Sequence, residues 1–313
     1  MLPICYFFYG CIYSRYEYFY WFFVMILKRK GDTSRMKKIT MFNVEKFLNL
    51  MDGKEDTFND INWIEPIYIA MIRAYLDDNR LEISTNNSYI KQMIEKDYQD
   101  NKTYTPIENV KTRMGLEEIS THLSSIMLKN FQNLSLDDLK DLEHYLQYLF
   151  LELMNNVADH ADSPVGGYVM AQYYPINKKV QFVVADRGIA FLENMKLNFS
   201  DVRNEEEAIY KALEKGVTST KQMMYGQERN AGYGLYAMCE ILKITGGNFV
   251  IISNDTLVRY SDKKFETKKL ENGWKGVVVA FEFFEANINW SMDEFKRDYL
   301  WGTLRAEEDE DYF

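Results

Sequence analysis

The stretch from Val180 to Ala185 is almost entirely apolar, and it leads directly into Asp186-Arg187-Gly188. A short apolar run of this kind predicts a buried β-strand. An aspartate at the end of such a strand can accept a hydrogen bond from an exocyclic amine, and Gly188 allows a flat ring to approach the backbone. These residues therefore form a candidate ligand site, the alternative being an ordinary turn after a strand.

A helical pattern precedes this strand. Apolar residues recur at three- and four-residue steps from Leu142 to Val157, which predicts a helix with an apolar stripe. Glu152, Asn156 and His160 are spaced four apart and so share one face of that helix. A carboxylate and a carboxamide one turn apart can hold a water molecule and a hard cation. The alternative is a polar stripe on a surface helix.

A glycine-containing segment, residues 230–235 (Asn-Ala-Gly-Tyr-Gly-Leu), leads into a second helical pattern. Glycines at the start of a helix expose backbone N–H groups, and the helix dipole favours an anion there. Gly246-Gly247 is expected to end this helix. Residues 248–253 and 276–283 are expected to be strands, so helices and strands alternate as in an α/β domain.

Composition excludes several classes of protein. The chain carries 37 basic and 47 acidic residues, a net charge of −10, which argues against a broad nucleic-acid-binding face. Its three cysteines form no Cys-x-x-Cys pair, so neither a zinc knuckle nor a disulfide framework is expected, and a reduced, cytoplasmic chain is predicted. With three histidines, a histidine-based metal cluster is not expected.

Taken in order, the three polar motifs resemble the N-box, G1 and G2 motifs of the GHKL (histidine-kinase-like, Bergerat-type) ATPase superfamily. The resemblance covers about residues 140–285, and residues 276–283 resemble the strand that closes the family's sheet. It implies a C-terminal α/β sandwich in which helices cover a mixed sheet. It also implies that the protein binds ATP and Mg²⁺.

The resemblance assigns roles by position. Glu152 is implied to activate water or an acceptor hydroxyl, Asn156 to bridge magnesium, and Asp186 to read the adenine. Residues 191–231 are implied to form a lid over the phosphates. The implied cofactor-binding residues are Asn156, His160, Asp186, Gly188, Thr218, Ser219, Lys221, Gly232, Gly234 and Leu235.

Two positions depart from the family pattern, since Ala190 and Tyr236 stand where glycines are usual, and slow turnover is expected. Neither His122 nor His144 is followed by an acidic residue, unlike the phosphoacceptor of a sensor kinase. The resemblance is therefore nearest to stand-alone anti-sigma-type modules. It implies slow hydrolysis or phosphotransfer to a protein partner, STAS-like or other. The alternative is a non-catalytic, nucleotide-gated interaction switch, and a homodimer is left open.

Residues 36–115 are predicted to form a small α/β domain with strands at 60–66 and 80–84 and helices at 67–76 and from 87 or 88 to about 96. Residues 40–100 resemble a STAS domain in which Glu65-Pro66-Ile67 replace the phosphorylatable serine segment. The alternative is an unrelated small α/β cap. Residues 116–286 are the predicted ATP-binding domain with its leading helices, and 287–313 a C-terminal segment with an acidic tail.

The first 35 residues are crowded with aromatic side chains and leave three alternatives open. A start codon assigned too early would place the true start at Met36. A membrane anchor would tether the protein, although Arg15 and Glu17 interrupt the apolar stretch at a high cost in lipid. A genuine soluble extension is the third alternative.

Overall fold

A five-stranded antiparallel sheet holds together the part of the chain that the structure describes. The structure is a computed structural model that describes residues 38–51, 61, 63–82, 85, 87–95, 103–129, 131, 134–217 and 234–288. The aromatic segment 1–35, the acidic tail, and the predicted site residues Thr218, Ser219, Lys221 and Gly232 lie outside these described residues.

The described elements alternate between strands and helices. The strands are β1 (Lys38–Ile39), β2 (Trp63–Ile64), β3 (Glu108–Val110), β4 (Gly167–Tyr174), β5 (Lys179–Asp186), β6 (Asn248–Ser261) and β7 (Lys264–Phe284). The helices are α1 (Val44–Met51), α2 (Pro66–Asn79), α3 (Ser88–Ile94), α4 (Leu116–Leu128), α5 (Leu136–His160), α6 (Phe191–Met195), α7 (Glu205–Ala212) and α8 (Gly234–Thr245). The predicted α/β class is therefore confirmed.

The strand order in the main sheet is β3-β4-β5-β7-β6, and all neighbouring strands in it are antiparallel. The expectation of a mixed sheet was therefore wrong. Residues 175–178 join β4 to β5, and Asp262-Lys263 join β6 to β7, the latter pair at positive φ. Connections this short can only link antiparallel strands. The described parallel pair, β1 with β2, forms a separate two-stranded sheet.

Both faces of the main sheet are covered, which explains the continuous apolar run of β5. Successive side chains of a strand point to opposite faces. Val180, Phe182 and Val184 join the core beneath α4, α5 and α8, where Phe182 stacks on Phe150 with the ring centroids 4.5 Å apart. Helix α2 packs against β4 and β5 on the other face. All eight residues of β4 are buried as a result.

Helix α5 carries the predicted polar motif at its C-terminal end. Its first turn is capped by Ser135, whose hydroxyl oxygen accepts the Asp138 backbone N–H at 3.1 Å. The same hydroxyl donates to the Asp138 carboxylate at 2.6 Å. The helix then continues without a break for 25 residues, so its last turns, with Glu152, Asn156 and His160, lie beside the end of β5.

The N-terminal part of the described chain follows the sequence expectation only in part. Helix α2 covers the predicted helix 67–76 but starts one residue earlier, at Pro66, and Arg80 ends it in the left-handed conformation, with φ of 55°. Because of this helix end, the strand expected to start at Arg80 does not form there, and Ile83 and Ser84 lie outside the described residues. Strand β3 joins the main sheet through β4. Among the described helices, none combines the length and apolarity needed to cross a bilayer.

Candidate functional site

A cleft opens between the C-terminal half of α5 and the ends of β5 and β7. It encloses about 820 Å³, solvent at its mouth included. Its polar side chains are Glu152, Asn156, His160, Asp186 and Asn194, and its remaining walls are mostly aliphatic. A mainly apolar cleft of this size with a few convergent polar groups is the usual form of a small-molecule site.

Asp186 lies at the closed end of the cleft and is 3% exposed. Its Oδ1 accepts the backbone N–H of Gly188 at 2.8 Å and that of Val277 at 3.3 Å. Burial raises the pKa of Asp186 to about 7, although the two backbone amides oppose this rise. Its Oδ2 accepts no hydrogen bond from any residue that the structure describes.

Two glycines make this arrangement of Asp186 possible. Gly276 has φ of +96°, and a Cβ there would lie 2.6 Å from the Asp186 carbonyl oxygen and 2.7 Å from its Oδ1. A Cβ on Gly188 would lie 1.8 Å from the carbonyl oxygen of Ala161, at the end of α5. A larger residue at position 276 would press on the carboxylate itself, and one at position 188 would displace the backbone N–H that binds it. We expected a role for Gly188 from the sequence, but not for Gly276 or Val277.

The polar face of α5 lines the cleft as its four-residue spacing predicts. Burial raises the pKa of Glu152 above its usual value, and a nearby positive charge on Arg113 partly offsets this. Burial lowers the pKa of His160, so its imidazole is neutral at pH 7. The Asn156 side chain forms no hydrogen bond with a described residue. Glu152 and Asn156 thus offer hard oxygen atoms to the cleft.

Gly234 and Leu235, at the start of α8, complete this side of the cleft. A Cβ on Gly234 would lie 2.8 Å from the Cβ of Glu152, so a glycine is what allows α8 to approach α5 closely. The N-terminal end of α8 therefore meets the carboxylate-bearing turn of α5. Four further predicted site residues, Thr218, Ser219, Lys221 and Gly232, belong to the undescribed segment 218–233.

The described part of the expected lid forms helices that pack against the rest of the fold. Of residues 191–231, the structure describes 191–217, which include α6 and α7. Glu205, which is 5% exposed, accepts hydrogen bonds from Ser253 Oγ at 2.7 Å and Asn254 Nδ2 at 3.0 Å. These bonds fasten α7 to β6, and closure of the segment over a ligand stays a prediction.

Arg113, in the loop between β3 and α4, is a charged neighbour of the cleft that the sequence analysis missed. Its Nε donates to Asp159 Oδ1 at 2.8 Å, and a second guanidinium N–H donates to Asp159 Oδ2. The fork geometry of a guanidinium suits such a two-point contact. No local pattern predicts this pair, because its members are 46 positions apart.

No group of three His, Cys, Asp or Glu side chains suited to a metal ion occurs among the described residues. Mg²⁺ bound together with a nucleotide does not require such a cage, since it takes one or two protein oxygen atoms and completes its shell with phosphates and water. The amide oxygen of Asn156, on the cleft face of α5, fits that need.

The chain matches none of the protein-family models, and none of the curated proteins matches the chain.

Proposed function

We propose that this protein is an ATP-binding regulatory protein of the GHKL type, which binds ATP with Mg²⁺ and slowly hydrolyses it or passes its phosphate to a protein partner. One observation carries the proposal. Three separated motifs, residues 152–160, 186–188 and 234–235, contribute side chains or backbone to the same cleft region. Their order along the chain resembles the GHKL pattern, and their chemistry suits ATP.

The Asp186 end of the cleft suits an adenine ring. Oδ2 of Asp186 can accept a hydrogen bond from the exocyclic amine, while Oδ1 stays bound to backbone amides. The aliphatic side chains of Ile189, Val184 and Val279 supply apolar surface for the ring. A buried acceptor between apolar walls selects a ligand that carries an N–H donor, because one without it leaves the carboxylate unpaired.

The opposite end of the cleft suits phosphates. The N-terminus of α8 begins at Gly234, and the backbone N–H groups of a helix start attract anions. Asn156 faces the same space and would bind Mg²⁺ through its amide oxygen, as one of a few protein ligands. When bound, Mg²⁺ neutralises negative charge on the phosphates.

Glu152 is the candidate general base. Its carboxylate lies in the cleft, and its raised pKa brings its proton affinity closer to neutral pH, where a base is most effective. It would accept the proton of a water molecule or of a partner's hydroxyl group as the oxygen attacks the terminal phosphate. If Glu152 makes no such contact, the protein is instead a nucleotide-gated interaction switch.

The test is to incubate the full chain with γ-labelled ATP, with Mg²⁺ or with a chelator, alone and with candidate partner proteins. We expect Mg²⁺-dependent binding, which Asn156→Ala weakens. Asn194→Ala is the matched control, because that amide also lines the cleft but is bound to the His160 carbonyl oxygen at 3.0 Å. Label in free phosphate indicates hydrolysis, label in a partner indicates transfer, and binding with neither indicates a switch. No ATP binding by the wild type would refute the proposal.

A further inference from the structure

Asp78, on helix α2, lies on the face of the sheet opposite the cleft and contacts two positively charged side chains. The Nε of Arg187 approaches its Oδ2 at 3.2 Å, and the Nζ of Lys275 lies 3.2 Å from its carboxylate oxygens. The side chains of Asp78 and Arg187 are 11% and 12% exposed. Removing one partner of an ion pair this buried is strongly unfavourable, because the other charge stays without compensation.

Both partners of Asp78 are sequence neighbours of the groups that hold the Asp186 carboxylate. Arg187 lies between Asp186 and Gly188, whose N–H binds Oδ1. Lys275 precedes Gly276 and Val277, and the Val277 N–H binds the same oxygen. One carboxylate on α2 therefore fastens both backbone segments that supply hydrogen bonds to Asp186.

Aromatic contacts also link helix α2 to the backbone around Asp186. The guanidinium of Arg187 lies 4.5 Å from the ring centroid of Trp274 and 5.5 Å from that of Tyr75 on α2. Trp274 is 2% exposed, and its Nε1 donates to the backbone carbonyl oxygen of Asp186 at 2.8 Å. Movement of α2 would thus be transmitted to Asp186 through both an ion pair and a packed ring.

We propose that Asp78 is a positioning residue for the Asp186 carboxylate, so that helix α2 sets the affinity of the cleft for its nucleotide. The consequence for nucleotide affinity rests on the proposed function, whereas the positioning is a property of the nucleotide-free protein. Coupling between two sites is reciprocal, so a nucleotide bound at Asp186 also tightens the attachment of α2. A partner that binds α2 would then sense whether the cleft is occupied.

Asp78→Asn tests this connection, because it removes the charge and keeps the shape. Asp77→Asn is the matched control. Asp77 belongs to the same helix, pairs with Arg73 at 2.9 Å and accepts the hydroxyl of Tyr168, so it also fastens α2 to the sheet. It contacts neither of the backbone segments that hold Asp186. Lys275→Gln serves as a second, milder variant, since that side chain is 54% exposed.

The first measurement is hydrogen exchange of the Gly188 and Val277 amides in the nucleotide-free, full-length protein. In Asp78→Asn both amides should exchange faster, by about tenfold, because their segments are held less firmly. Lys275→Gln should affect Val277 more than Gly188, and Asp77→Asn should leave both unchanged. Unchanged exchange in Asp78→Asn and Lys275→Gln would overturn the positioning role, whatever the protein binds.

The second measurement is the affinity for a non-hydrolysable ATP analogue with Mg²⁺, together with exchange of the α2 amides. The analogue should bind Asp78→Asn about tenfold more weakly than the wild type. It should slow exchange across residues 66–79 of the wild type. Faster exchange at Gly188 and Val277 with no analogue binding by the wild type would uphold the positioning role and refute the proposed function. Normal binding by all variants, with unchanged α2 exchange, would refute the coupling and leave the proposed function standing.

Discussion

The two carboxylates of the cleft have different surroundings. Asp186 is held by backbone amides from two segments, and glycines at 188 and 276 leave it the space it needs. Glu152 lies on the face of a regular helix, and its charged neighbours among the described residues are the side chains of Arg113 and Asp159. Asp186 is thus held by backbone groups, whereas the environment of Glu152 is set by burial and by charged side chains.

This difference suggests a division of labour. An acceptor held by backbone groups needs no rearrangement when it binds a ligand, which favours recognition. A carboxylate whose proton affinity is set by burial and by nearby charges is suited to proton transfer. Changes at the Asp186 end should therefore affect affinity and stability, and changes at the Glu152 end should affect rate.

Glu152→Gln should give the largest effect. The amide keeps the size of the side chain but cannot accept a proton, so single-turnover rates should fall by about 10²- to 10⁴-fold. ATP affinity should change little, because the carboxylate binds no part of the ground state strongly. Glu143→Gln, on the same helix outside the cleft, is the control. If Glu152→Gln lowered rate and ATP affinity equally, the proposed distinction between a recognition role for Asp186 and a catalytic role for Glu152 would be wrong.

Asp186→Asn should stabilise the nucleotide-free protein at pH 8. The folded-state pKa of about 7 lies above the ordinary value of 3.8, so the folded state holds its proton more tightly than the unfolded state. Stability is therefore lost as pH rises from about 4 to 7, by at most about 4 kcal/mol. The neutral variant avoids this loss. In urea unfolding, the free energy of unfolding of the variant should exceed that of the wild type by an amount that grows as pH rises from about 4 to 7. The same difference at every pH would contradict this.

Gly276→Ala should lower both stability and ATP affinity, because its Cβ would press on Asp186. Gly115→Ala is a matched control, since Gly115 has φ of +82° but nothing within 4 Å of an added Cβ. Left-handed strain alone should cost the control about 1–2 kcal/mol. Gly276→Ala should cost about 1–3 kcal/mol more, in line with overpacking. Thermal unfolding compares the two, and equal losses would mean that Gly276 matters only for its backbone angle.

Arg113→Gln should give the smallest effect. The positive charge of Arg113 lowers the pKa of Glu152, so its removal should raise that pKa and move the acid limb of the rate profile to higher pH. Asp159, left without its partner, acts in the same direction. The shift should be less than about one pH unit, because Arg113 is half-exposed. Lys111→Gln, in the same loop, should leave the pH–rate profile unchanged. If Arg113→Gln has the same profile as Lys111→Gln, the charge of Arg113 does not set the pKa of Glu152.

Local patterns in the sequence predicted much of the helical side of the site. The four-residue spacing of Glu152, Asn156 and His160 was enough to predict their common face, and the apolar run before Asp186 predicted its strand. Such features depend on neighbours within one or two turns, and this is why they are visible without a structure.

The rest depended on distant contacts. Val277 reaches Asp186 across 91 positions, and Arg187 reaches Asp78 across 109. No local pattern indicates such pairs, so the roles of Gly276, Arg113 and α2 were not predicted. The long hairpin of β6 and β7 was also missed, because it turns at Asp262-Lys263 without a glycine. The expectation of a mixed sheet came from the family resemblance, and the antiparallel order of the described strands contradicts it.

The most direct test of the account compares ATP with inosine triphosphate, which carries a carbonyl oxygen in place of the amine, by calorimetry with Mg²⁺. The wild type should bind ATP about 10- to 100-fold more tightly, because only ATP donates a hydrogen bond to the buried carboxylate. Asp186→Asn should lose that preference, since its amide can donate to the carbonyl oxygen. A wild type without the preference, or a variant that keeps it, would show that Asp186 does not read the base.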